Sequence, residues 1–261
     1  MPNITGRSLM VANAAGTGEP ERPQGAPAWR ELALAARRRG DRAAALEHWR
    51  EAVACEPLSL DLVLEMSHEL RELGRLEEAE AVCRGLTETA PERSQGWRGL
   101  AFIARRRGDR VASLEHWRRA ASCDPRAPGP AFEMSHDLRE LGRLDEAEAI
   151  CRGLTETVPE RAFGWQGLAH IARKRGDRPA SLDFWRKAAA CEPSNLDFRF
   201  EMSHDLRELG RLDEAEALCR GLAEAAPGRA FGWRGLALVA RRRGDRAAAL
   251  EHWREAAACE P

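Results

Sequence analysis

The chain has 261 residues, of which 32% are charged, with seven Phe, eight Trp and no Tyr, and this leaves too little large apolar mass for one extensive central core. A formal net charge of -1 excludes bulk attraction to nucleic acid or to an anionic membrane, so any charge effect has to be local. Arginine outnumbers lysine 39 to 2, which a G+C-rich coding sequence accounts for as readily as selection for bidentate pairing.

Residues 1–25 are rich in Gly, Pro, Ala and polar residues without helical periodicity, and are predicted to be disordered. Within them Ser8 to Ala15 is interrupted by Asn13 and makes a poor signal-peptide core. The first element begins near Pro27, tolerated at a helix start because that position needs no N–H. Trp29, Leu32, Ala33 and Ala36 then fall at i, i+3, i+4 and i+7, one stripe of a helix that Gly40 and Asp41 end. A second helix follows with Ala45, Leu46, Trp49, Ala52 and Val53 on one face, and Pro57 closes the hairpin.

Near-copies of this unit recur around Trp97, Trp165 and Trp233, each 68 residues from the last. Between them lies a divergent unit of 34 residues framed by Met66, Leu70, Gly74, Ala79, Cys83, Leu86 and Pro91, repeated at Met134 to Pro159 and Met202 to Pro227. A period in this range marks a stacked array, in which each unit buries its face against its neighbours. Seven units are predicted: 26–59, 60–93, 94–127, 128–161, 162–195, 196–229 and 230–261. The seven cysteines keep to two repeat positions without a CxxC pair, so they read as small core hydrophobes, reduced in a bacterial cytoplasm. No apolar run approaches the roughly 20 residues that a membrane span needs.

The units resemble the tetratricopeptide repeat. Its pattern of Trp, Leu, small residue, aromatic and Pro is met by Trp29, Leu32, Ala45, Trp49 and Pro57, and again by Trp97, Leu100, Ser113, Trp117 and Pro125. Trp165 to Pro193 and Trp233 to Pro261 keep it too, with Ala in place of the family's Gly and Tyr at Ala33 and Ala36 and their copies. The resemblance implies an all-α, right-handed superhelical solenoid that serves as a protein-interaction scaffold. It also implies that unit positions 2, 5, 9, 12 and 13 line a concave groove.

At position 12 every unit carries arginine: Arg37, Arg71, Arg105, Arg139, Arg173, Arg207 and Arg241. Position 13 alternates between basic residues (Arg38, Arg106, Lys174, Arg242) and acidic ones (Glu72, Glu140, Glu208). Such a guanidinium ladder suits an extended acidic peptide, because each fork can pair with a carboxylate; the same arginines also complement the helix dipole near a C-terminus. Position 9 holds His68, His136, His170 and His204, expected to give ring or hydrogen-bond contacts to a peptide or to be spectators. Stacked units about 10 Å apart do not let them converge on one metal ion. His48, His116 and His252 are expected at the surface, and Phe132, Phe163, Phe200 and Phe231 either form apolar pockets or pack beside the inter-unit turns. The Arg-Gly-Asp triplets read as turns with a left-handed Gly and an Asp cap.

No catalytic constellation is present: every acid, base or thiol recurs in repeat register, whereas a reaction needs one asymmetric cluster. The expectation is therefore a non-enzymatic scaffold, without cofactor, nucleic acid or membrane partner, whose groove takes an acidic peptide. Two alternatives stand beside it: a recognition arm of a larger enzyme such as a transferase, or an array that self-associates through its uncapped last unit. The apolar face of that unit is expected to be covered by further chain or by a second copy.

Overall fold

The computed structural model describes residues 24–57 and 59–259, so the expected disorder of residues 1–25 and the closing Pro261 fall almost entirely outside the described residues. Among the described residues there are fourteen α-helices and no strand. The chain divides into two compact units, up to Leu73 and from Gly74 onward. The first holds α1 (Ala26–Arg38), α2 (Arg42–Cys55) and α3 (Leu60–Glu72). The second holds α4 (Leu76–Thr89), α5 (Ser94–Arg106), α6 (Arg110–Cys123), α7 (Pro128–Glu140), α8 (Leu144–Thr157) and α9 (Phe163–Lys174). It continues with α10 (Arg178–Cys191), α11 (Leu196–Glu208), α12 (Leu212–Ala225), α13 (Ala230–Arg243) and α14 (Arg246–Ala258). Within the second unit each helix packs on its neighbours in the chain, and α9 and α13 also reach back to α7 and α11, the stacking of an α-solenoid.

Local chemistry sets these boundaries. In the turn between α5 and α6, Gly108 has φ +84° and Asp109 accepts the Ala112 N–H at 2.9 Å. The same aspartate cap opens α2, α10 and α14. The Arg-Gly-Asp triplets are thus helix turns, with glycine relieving the strain that a Cβ would meet in the left-handed region and aspartate satisfying an orphan donor.

Two kinds of packing alternate. Trp49, Trp117 and Trp185 of the second helices are buried to 1% exposure or less and form the apolar centre of their hairpins. The first-helix residues Trp29, Trp97, Trp165 and Trp233 are only half-buried. They lie against the ring one residue before the second-helix tryptophan: Trp29 tilted on His48 at 5.6 Å, Trp97 stacked on His116 and Trp165 on Phe184 at 6.2 Å, Trp233 on His252 at 6.0 Å. His48, His116 and His252, expected to stand idle at the surface, therefore cover tryptophan faces. At the junction from α8 to α9, by contrast, one point of contact is made by small residues. A Cβ added to Gly167 would overlap the Sγ of Cys151, and Gly99 and Gly235 face Cys83 and Cys219 in the same way. The buried cysteines fill a gap that only glycine leaves open, which is why the two residue types recur together.

Candidate functional site

Seven first helices carry the arginines of the expected ladder, and the structure separates them into two sets. Arg105, at the end of α5, donates from Nε to Asp137 Oδ1 at 2.9 Å and from NH1 to Glu133 Oε2 at 2.6 Å, both on α7. Arg173 repeats this on α11, with Asp205 at 3.0 Å and Glu201 at 2.5 Å. Arg37 holds Glu65 at 2.7 Å and also Glu69 on α3. Each of these guanidinium groups also lies over the buried indole beneath it, at 5.5 Å for Trp49, 5.7 Å for Trp117 and 5.6 Å for Trp185.

The carboxylates at the centre of these clamps are fully buried: Glu69, Asp137 and Asp205 are 0% exposed. Asp137 receives four groups, because Arg110 NH1 at 2.7 Å and Ser113 Oγ at 2.5 Å join Arg105, and His136 Nδ1 lies 3.7 Å away. Burial by itself pushes the Asp137 carboxyl up, but hydrogen bonds from His136, Arg105, Ser113 and Arg110 outweigh it and hold it well below the usual carboxylate range. Asp205 behaves alike with His204, Arg173, Ser181 and Arg178. The acids at position 13, Glu72, Glu140 and Glu208, are not the main acceptors of these arginines. The main acceptors instead stand six and two residues before the position-12 arginine of the following unit, in the recurring Glu-Met-Ser-His-Asp/Glu-Leu stretch, and that repetition was the available signal.

Among the described residues, Arg139 and Arg207 of the divergent units show no such clamp. Where α7 and α11 present Glu133 and Glu201, α9 and α13 present Gly167 and Gly235. Arg139 has Glu140 of its own helix at 3.5 Å, and Arg71 donates to the Ser67 carbonyl at 3.4 Å. Arg207 is 8% exposed, and its Nε has no hydrogen-bond partner. Burial is the main cause that lowers the proton affinity of this guanidinium, and Arg241 and Arg242 add like charge. Arg241 and Arg106 are exposed at the ends of their helices.

The histidines divide as well. His136 and His204 sit beside the clamps, each 3.4 Å from an arginine NH1 of the preceding hairpin. His170 instead meets the Trp185 ring edge-on, with centroids 4.9 Å apart, the geometry that Phe102 makes on Trp117. Burial, then Arg139, Arg173 and His136, push its pKa down to about 4. No group of three or more His, Cys, Asp or Glu able to hold a metal ion occurs among the described residues. The phenylalanines form two matched pairs, Phe132 with Phe163 at 5.2 Å and Phe200 with Phe231 at 5.3 Å. Arg161 and Arg229 cap them at 4.8 and 4.7 Å. Beside the second pair a cleft of about 380 Å³ is lined by Gln166, His170, Asp197, Phe200, Glu201 and Phe231, residues at positions 2, 5, 6 and 9 of their units.

Comparison with known proteins agrees with this architecture. The family model described as "Tetratricopeptide repeat" matches residues 230–255. A tetratricopeptide repeat protein from Parabacteroides merdae ATCC 43184 superposes with TM-score 0.67 at 14% identity, covering 90% of this chain and 93% of that one. The APC/C hetero-tetramer Cut9–Hcn1 contains a chain similar at TM-score 0.59 and 15% identity, over 88% of this chain and 52% of that one. In sequence, the human protein O-mannosyl-transferase TMTC1 is 22% identical over 174 residues, 65% of this chain. The chain spans 19% of the length of that relative. No helix among the described residues is long and apolar enough to cross a membrane.

Proposed function

We propose that this chain, a tetratricopeptide-repeat protein and hence a protein-interaction scaffold, binds an extended acidic segment of its partner along the first helices. The groups offered to that segment are Arg139 with His136 and His170, and Arg207 with Arg241. Arg105 and Arg173 shape the groove from behind, because their forks are already filled by carboxylates.

The observation that carries this reading is Arg207. A buried cation with an unpaired Nε is costly unless an anion answers it; Glu208 offsets the burial only in part, and Arg241 and Arg242 of α13 add like charge. A carboxylate of the ligand supplies the missing acceptor, and a guanidinium fork takes it bidentately. The Phe200–Phe231 cleft alongside gives the ligand one apolar anchor.

A fluorescein-labelled peptide of alternating Glu and Gly with a single central Leu tests this by anisotropy. Arg139→Ala/Arg207→Ala is expected to weaken its binding at least tenfold and to flatten the salt dependence. Undiminished binding by that variant overturns the reading. The similarity to an O-mannosyl-transferase over 174 residues supports a second reading, in which the array is the recognition arm of a glycosyl-transferring enzyme. A transferase activity co-purifying with the native protein tests it.

A further inference from the structure

The tryptophan-bearing hairpins fill a place that the α7–α8 hairpin leaves open. In α5, Trp97 lies against His116 of α6 and donates its indole N–H to the carbonyl of Pro91, six residues earlier, at 3.2 Å. In α9, Trp165 lies against Phe184 and is covered by Lys187, whose Nζ stands 4.5 Å from the ring centre. At this place the seven units carry Trp29, Val63, Trp97, Ala131, Trp165, Arg199 and Trp233, and Ala131 is the smallest of them.

Beside that alanine is a cleft of about 540 Å³. Its apolar lining comes from Ala131 of α7, Ile150 and Leu154 of α8, and Val158 just after α8. Pro125, six residues before Ala131 as Pro91 is before Trp97, lines it from the preceding turn. Gly153 stands where α10 has Lys187, and a Cβ added to it meets nothing within 4 Å, so the outer side is uncovered. The rings of Pro125 and Pro128 fix the backbone at the rim, which lowers the ordering cost of binding there. Of the groups offered to the acidic segment, none lines this cleft.

We infer that this cleft is a docking site for a tryptophan side chain of a partner protein. The incoming ring rests on Ile150, which holds the place of His116, and its N–H donates to the Pro125 carbonyl as Trp97 donates to that of Pro91. Burial of the large ring supplies the affinity, and the single polar contact sets its orientation. Leucine and phenylalanine fill the apolar lining but bring no N–H for the carbonyl, so they bind more weakly. The open side at Gly153 lets the partner's backbone pass across the mouth, where Lys187 closes the equivalent place over Trp165.

The test titrates N-acetyl-tryptophanamide into the full chain and follows the methyl resonances of Ile150, Leu154 and Val158. Saturable ring-current shifts are expected at these methyls. N-acetyl-leucinamide and the N1-methylated tryptophan analogue are expected to bind at least threefold more weakly. Ala131→Trp, which supplies the ring that the sister hairpins carry, is expected to weaken the probe at least tenfold without lowering the thermal melt. Gly153→Lys, which copies Lys187 onto an open helix surface, is a second block with the same expected effect. Arg139→Ala/Arg207→Ala leaves the affinity within twofold, which separates this cleft from the groove. Absent shifts, equal affinity for the leucine and tryptophan probes, or binding by both blocked variants within twofold of the unchanged chain overturns the inference. So does free indole binding at least tenfold more tightly than the probe, since a small molecule is then the occupant. A dimer mass by light scattering, without probe, that Ala131→Trp reduces to the monomer overturns it too, since a second copy is then the occupant.

Discussion

Replacing Asp205 with alanine removes the acceptor at the centre of a clamp. Its carboxylate, 0% exposed, takes Arg173 at 3.0 and 3.1 Å, Arg178 at 2.7 Å and the Ser181 hydroxyl at 2.5 Å. Breaking a buried ion pair from one side typically costs about 3–5 kcal/mol, because the partners stay desolvated. Here the lower end applies. Arg173 keeps Glu201, and Arg178, 29% exposed, can turn toward water, which leaves the buried Ser181 as the main orphan. The expected loss is about 3 kcal/mol, or roughly 6–12 °C in melting temperature for a chain of this size. The chain also contains its own rescue. Asp205→Glu/Ser181→Ala recreates the Glu69–Ala45 arrangement of the first unit and is expected to restore stability to within about 1 kcal/mol, while Asp205→Glu alone crowds the serine and costs more. Urea unfolding followed by circular dichroism, with hydrogen exchange to confirm that α10 and α11 are the helices loosened, measures all three. A loss below about 1 kcal/mol for Asp205→Ala, or no difference between the single and the double glutamate variants, refutes the clamp as a stabilising element.

Other consequences follow from the same contacts. The pKa of His170 is held near 4, below its ordinary 6.5, so the unfolded chain binds the extra proton between these values and stability falls as pH drops through that interval. The loss reaches at most about 3 kcal/mol, and His170→Phe, which reproduces the Phe102–Trp117 contact, is expected to flatten the difference in melts from pH 7 to 4. Asp137 and Asp205 act at lower pH. Their carboxyls sit below the ordinary 3.8, so the stability they add is complete above that value and drains away as the pH falls beneath it; Asp137→Asn is expected to lessen that acid loss in melts below pH 4. Gly167→Ala is expected to destabilise by about 1–3 kcal/mol through overlap with Cys151, and Cys151→Ala in the same chain to recover most of it, as read from urea midpoints. Equal midpoints for the single and double variants would refute the close packing of α8 on α9.

Helix positions, turns and the alternation of large with small residues were legible in the sequence because they are local or strictly periodic. The Trp, Leu and Ala spacing defines one face of a helix, Gly108 with Asp109 defines a turn, and the 68-residue recurrence makes every such signal appear several times. What the linear order could not reveal is which arginines are spent. Arg105 and Arg139 stand at the same position of their units, end similar helices and look interchangeable along the chain. Their difference lies in the helix that follows one unit later: α7 brings Glu133 and Asp137 to the first, and α9 brings Gly167 and Ile171 toward the second. The free energy of a guanidinium depends on what shares its buried surroundings, and that is decided by contacts 28 to 32 residues away. Sequence periodicity therefore determined the scaffold, while tertiary packing decided which of its cations are held by buried carboxylates.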